Sequence, residues 1–249
     1  MSLRIATYNI RFGGKEREHL LLDVLREINA DAVMLTEASS AEIVNKLAAS
    51  LAMQQIIAHG RKTSIALLSR LPIEASNVFD VSGRPLLEAT LRAAPQMTVT
   101  LYGLHLPPHY LKRAEKQRVL ELGTYLDYIH ARPSSPHLLL GDFNAIASGD
   151  PFTRENLPFK VRLMLWWERG RIYHEAIDSV LAADYVDCFR TLHPSEAGFT
   201  LPAYMPHVRL DCIFADAEMR EKLKACAVHQ TPMTLLASDH LPLIADFAV

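Results

Sequence analysis

The chain has 249 residues, enough for one large domain with a sizeable core or two small ones. Hydrophobic residues make up 49% and charged residues 22%, as in an ordinary globular protein, and no apolar run is long enough to span a membrane. Lys and Arg number 26 against 28 Asp and Glu, a formal net charge of -2, which excludes a global cationic field for long polyanions and leaves only local basic patches.

In chain order, LRIATYNI alternates and predicts a first strand. EHLLLDVLREINA places Leu20, Leu21, Val24, Leu25 and Ile28 on one helical stripe, with Asp23, Arg26 and Glu27 opposite. DAVMLTE reads as a short buried strand. Ser39 with Glu42 fits a capping box, opening a helix that turns Ile43, Leu47 and Leu51 inward. Strands follow in SIALLSR, LLEATLRA and MTVTLYGLHL. The next helix directs Leu111, Val119, Leu122, Leu126 and Ile129 inward and Lys112, Arg113, Lys116 and Arg118 outward. HLLLGDFN is a strand with its exit, and a further helix is expected around Arg162 to Val180. DYVDCF, RLDCIFA, ACAVHQ and LPLIADFAV complete the chain as strands. No linker, repeat or low-complexity tract divides it. One mixed α/β domain over residues 1–249 is expected, most simply packed sheets covered by helices. Cys188, Cys212 and Cys226 form an odd set without C-x-x-C spacing, which reads as buried free thiols rather than a disulfide frame or zinc site. MSLRIATYNI enters strand pattern without the charged-then-apolar leader of a secreted protein, so the cytoplasm is the expected compartment.

The strand ends carry polar groups. HLLLGDFN ends on Asp142 and Asn144, two apart and so on one face, with Phe143 turned the other way. Asn9 ends the first strand, Glu37 the second and His105 a later one; Asp211 lies inside an apolar strand, and Asp239 and His240 precede the last. Taken singly, each carboxylate suits a solvated turn and each imidazole a satisfied structural histidine. Asp211 differs, because an acid among apolar residues must find a partner. Strand ends in layered α/β folds gather on one rim, so the four carboxylates, two amides and two imidazoles can share a cleft. An oxygen-rich set suits Mg²⁺ or Mn²⁺ rather than zinc. RFGGKERE lacks the spacing of a phosphate loop, and neither H-E-x-x-H nor G-x-S-x-G occurs.

Taken in order, TYNIR, LTE, GLHLPP, GDFN, RLDCIF and SDH resemble the endonuclease/exonuclease/phosphatase superfamily of metal-dependent phosphoesterases, which includes deoxyribonuclease I, abasic-site endonucleases, neutral sphingomyelinases and inositol polyphosphate phosphatases. The resemblance spans Asn9 to His240. It implies a four-layer α/β (α+β) sandwich, two packed mixed β-sheets flanked by helices. It also implies Glu37 as the main Mg²⁺ (or Mn²⁺) ligand, with Asn9 beside it and Asp239 completing the metal region. Asp142 would orient or deprotonate the attacking water, and Asn144 would bind a phosphate oxygen. His240 would hydrogen-bond the scissile phosphate, held by Asp211. His105 followed by prolines is similar to the deoxyribonuclease, sphingomyelinase and phosphatase branches; abasic-site endonucleases carry tyrosine in a Y-x-P-N setting there.

Between GDFN and DYVDCF, residues 150–180 hold Arg154, Lys160, Arg162, Arg169 and Arg171 with Trp166 and Trp167. One reading is a rim in which Arg162, Trp166 and Arg169 grip a phosphorylated or aromatic substrate. The favoured one is a peripheral helix burying Leu163, Trp166 and Trp167, with its arginines solvated. A membrane-surface role would need a larger amphipathic helix or an apolar hairpin, and the sequence shows neither. The expected substrate is a phosphate ester, nucleic acid among the options, with no membrane insertion and no obligate protein partner. Phosphodiester hydrolysis stands ahead of monoester hydrolysis on a sugar or inositol phosphate. A non-catalytic binding domain of the same fold would be expected to lack a metal or dyad residue, and none is missing.

Overall fold

The computed structural model describes residues 2–133, 135–152, 157 and 159–249, with Lys160 described by its backbone alone. In chain order the first half comprises β1 (Ser2–Asn9), α1 (Glu18–Ile28), β2 (Ala32–Thr36), α2 (Ala41–Leu51), β3 (Gln54–His59), β4 (Ser64–Ser69), β5 (Ile73–Val81), β6 (Arg84–Ala94) and β7 (Met97–His105). Then follow α3 (Lys112–His130), β8 (His137–Asp142), α4 (Phe159–Trp167), α5 (Glu175–Ala182), β9 (Val186–Asp187) and α6 (Cys188–Leu192). The last are β10 (Asp211–Ala215), α7 (Ala217–Lys222), β11 (Leu223–Val228), α8 (Thr234–Ala237) and β12 (Leu243–Ala248).

The strands form two mixed six-stranded sheets, ordered β11-β12-β1-β2-β4-β3 and β5-β6-β7-β8-β10-β9. Alternation along the strands explains how they pack. Leu3 and Ile5 of β1, Met34 of β2, Leu101 of β7, Leu140 of β8 and Ile213 of β10 share the core between the sheets. Gly103 brings the sheets close: a Cβ there would sit 2.3 Å from Sδ of Met34. The other face of the first sheet packs under α1 and α2 through Leu21, Leu25, Val44 and Leu47. The other face of the second packs under α3 and α5 through Leu122, Tyr125, Ile177 and Val180. Helix, sheet, sheet, helix is the four-layer sandwich expected. No helix among the described residues is long and apolar enough to cross a membrane, and all three cysteines are buried free thiols.

Local expectations shift at several points. The N-cap of α2 is Ser40, whose hydroxyl accepts from Ile43 N at 3.4 Å, because Ser39 N–H is already bonded to Glu37 O. Arg118 points inward, not outward: it is held by Glu115 and by the carbonyls of Pro107 and His109. DYVDCF keeps only two strand residues, since Asp187 caps Arg190 N and starts α6. The helix expected over 162–180 is two helices. Arg169 and Gly170, both at positive φ, end the first, where Gly170 N–H bonds Leu165 O.

Candidate active site

Register places the polar strand ends side by side. His105 on β7 pairs across from Asp142 on β8, and Asp142 from Asp211 on β10. All three therefore face the same way, continuing the rows that hold Leu101, Leu140 and Ile213 in the inter-sheet core. On the first sheet, Asn9 pairs with Thr36, next to Glu37, and the antiparallel β12 starts beside the end of β1, bringing Ser238, Asp239 and His240 to the same rim. The site is the polar end of the core between the sheets. Gly141 permits the close packing beneath it, with φ 143°, because a Cβ there would lie 2.0 Å from Leu104 O.

One hydrogen-bond network joins the two sheets. The Asn9 amide donates to Asp142 Oδ2 at 3.0 Å and to Glu37 Oε1 at 3.3 Å. Its carbonyl oxygen accepts from Arg11 N at 2.9 Å, and Glu37 Oε2 accepts from Phe12 N at 2.7 Å. Glu37 adopts φ 55°, a conformation that costs about 1–3 kcal/mol for a residue with a side chain. These bonds, with Gly13 N on Glu37 O, hold it there. Among the described residues no lysine or arginine lies within ion-pair distance of Glu37 or Asp142. Two carboxylates that share one neutral amide form a donor set suited to a hard divalent cation.

Two imidazoles approach Asp142 with different electrostatics. His105 Nε2 is 3.5 Å from Asp142 Oδ2, while its Nδ1 is 2.8 Å from the Thr63 hydroxyl. Burial lowers its pKa against the pull of Asp142 and Glu37, so this ring is neutral. His240 Nε2 lies 3.9 Å from the same oxygen, and its Nδ1 is 2.8 Å from Asp211 Oδ2. Burial works against the imidazolium here too, but the Asp211 charge and hydrogen bond outweigh it and raise His240 to about 10. Burial raises the Asp211 carboxyl in turn, and His240 counters it. Asp142, Asp211 and His240 bring one oxygen or nitrogen each within 4.8 Å of the others, but an imidazolium has no lone pair for a cation, so His240 stands beside the donor set of Glu37 and Asp142 rather than in it.

The remaining expected residues fall at the margin or outside. Asn144 N–H bonds Asp142 Oδ1 at 2.9 Å, and its side-chain amide donates to Leu106 O at 3.1 Å, so this residue braces the turn after β8. It also lines a pocket of about 280 Å³ with Tyr110, Val161, Met164, Leu201 and Tyr204. Asp239 pairs with Arg11 Nε at 3.4 Å and reaches Asn9 through Ser238, whose hydroxyl donates to Asn9 O at 2.7 Å. Arg162, Trp166 and Arg169 do not join the cluster; they line a separate cleft beside α4. Arg154 lies outside the described residues. The expectation that Leu163, Trp166 and Trp167 are buried is wrong: all three are exposed, while Leu165 is buried and Val161 and Met164 are half-buried on the other side of α4. Sequence reasoning assigned no role to Arg11 and Ser238, although they lie in TYNIR and SDH, and passed over Thr63, which nothing in composition or spacing marks.

The profile of the Endonuclease/Exonuclease/phosphatase family matches residues 6–240. No curated protein matches the chain in sequence. Solved structures do match. An AP endonuclease from Archaeoglobus fulgidus superposes with a TM-score of 0.80 at 21% identity, over 99% of this chain and 100% of that one. The 3' phosphatase NExo from Neisseria, bound to a product DNA hairpin, gives 0.72 at 19%, over 99% and 100%. A truncated TDP2 from Caenorhabditis elegans gives 0.68 at 16%, over 100% and 98%. At these identities the likeness establishes the deoxyribonuclease I-like fold.

Proposed function

The chain belongs to the endonuclease/exonuclease/phosphatase family, a family of phosphoesterase hydrolases, and on that footing we propose that it hydrolyses a phosphodiester by attack of water, assisted by Mg²⁺ or Mn²⁺. The observation that carries this reading is the network joining Glu37, Asn9 and Asp142 beneath the two imidazoles. Glu37 would hold the cation, with Asn9 fixing its carboxylate and Asp239 at the margin. The cation supplies charge neutralisation on the phosphate. Asp142 orients the attacking water and accepts its proton, while the Asn9 amide keeps Oδ2 in place. His240, charged because of Asp211, stabilises negative charge on the phosphate oxygens. His105 stays neutral and donates through Nε2, with Thr63 on its other nitrogen fixing the tautomer. Asn144 offers its remaining amide hydrogen to a phosphate oxygen.

The experiment is hydrolysis of bis(p-nitrophenyl) phosphate with Mn²⁺ or Mg²⁺, before and after EDTA, beside p-nitrophenyl phosphate. Metal-dependent turnover of the diester is the expected result. Turnover of the monoester alone would replace the diester reading with a phosphomonoesterase acting on a sugar or inositol phosphate. Absence of both turnover and metal binding would reduce the chain to a binding domain of this fold.

A further inference from the structure

Phe159, Leu163, Trp166 and Trp167 occupy positions i, i+4, i+7 and i+8 of α4 and so form one stripe. The stripe faces solvent: Phe159 is 77% exposed and both tryptophans 73%. The two indoles stand edge to face, 6.0 Å between centroids. An apolar patch of this kind marks a surface that meets something other than water.

Cations border it. Arg162 flanks the stripe and Arg169 follows in the turn that ends α4; with Leu165 and the tryptophans they line a cleft of about 970 Å³. At the same end Lys112 N–H donates to Glu168 Oε1 at 3.1 Å, so the start of α3, with the exposed Lys112, meets the turn that follows α4. Glu168 itself is taken up by that bond and by the Tyr173 hydroxyl at 2.7 Å. The surface is aromatic at its centre and cationic at its margin.

We propose that α4 docks this protein on an anionic phospholipid surface. Tryptophan and phenylalanine settle at the headgroup level of a bilayer, and arginine and lysine meet its phosphates. A second copy fits poorly, since two-fold antiparallel pairing of the stripe would bring Arg162 of each copy towards Arg169 of the other. A nucleic acid strand would engage the arginines and indoles but would leave Leu163 with nothing to cover it. Val161 and Met164, on the inner side of α4, line the pocket that reaches Asn144, so docking holds that pocket about 10 Å, one helix diameter, from the lipid.

The chain has two tryptophans, both on α4, so tryptophan emission, excited selectively over the tyrosines, reports this helix alone. Emission is titrated with vesicles of phosphatidylcholine, and of phosphatidylcholine with phosphatidylserine. The mixed vesicles are expected to shift it to the blue and shield it from acrylamide, less so as salt rises. Arg162→Glu with Arg169→Glu weakens binding by at least about thirtyfold. Trp166→Ser with Trp167→Ser abolishes co-sedimentation with the mixed vesicles, and both variants keep the wild-type melting temperature. Unchanged emission with the mixed vesicles overturns the proposal, as does a shift produced by a single-stranded oligonucleotide or by protein concentration alone. None of these readouts requires turnover.

Discussion

Asp142 and Asp211 are carboxylates with 1% and 0% of their surface exposed, whereas Trp166 and Trp167 on α4 are indoles left largely bare. At the rim, charge is taken out of water and compensated by partners within the chain: Asp142 by Asn9, His105 and Asn144, and Asp211 through Oδ2 by His240, while its buried Oδ1 has no hydrogen-bond partner among the described residues. On α4 apolar surface is left in water, with nothing among the described residues to cover it. Both arrangements cost free energy in an isolated molecule. The rim offsets that cost internally, and α4 is the face where the offset has to come from outside.

Removing the rim's charge should have the largest effect. Asp142→Asn keeps the shape and the Asn9 contact but loses the base, and diester hydrolysis should fall about 10³-fold while the melting temperature persists. A variant with normal rates would remove Asp142 from the chemistry. Stripping the metal with EDTA should be as severe and reversible on adding Mn²⁺. Next comes the packing beneath the rim. Phe143 is fully buried edge to face with Phe214, 5.0 Å between centroids, and Phe143→Ala should destabilise the fold by about 3–5 kcal/mol in denaturant titration.

Asp211→Asn tests the dyad through pH. The folded pKa of His240, about 10, lies above the 6.5 of a free imidazole, so the imidazolium persists through neutrality and is lost as pH rises through about 10. Without the Asp211 charge, burial dominates and the pKa falls. The alkaline limb of the rate profile should move to lower pH, with about a 10²-fold loss at pH 8. An unmoved limb would separate His240 from the reaction. The smallest effect belongs to α4: Trp166→Ala should change stability by less than about 0.5 kcal/mol, although Phe143→Ala removes a smaller side chain.

The same contrast explains what could be read from the sequence. Asn9, Glu37, His105, Asp142, Asp211 and His240 stood out because each interrupts or ends an apolar strand, and register then brought them together. Strands β3 and β5 lie at sheet edges with much of their length exposed, so neither carries a clear alternation. Arg118 resembled its solvated neighbours until the Pro107 and His109 carbonyls were in place. Thr63 carries no signal of its own, since its partner His105 is 42 residues away. For α4, apolar residues at nearly every position hide which side is covered, and only the fold assigns it.

The bond from Asn9 to Asp142 spans 133 residues of sequence and passes from one sheet to the other. A slip of one strand residue, about 3.3 Å, is enough to break it. Catalytic competence therefore follows the mutual alignment of two sheets that meet only when the chain has closed long loops, which are slow contacts to form. During refolding, backbone ellipticity should recover before hydrolysis does, making the reaction a clock for the last stage of assembly.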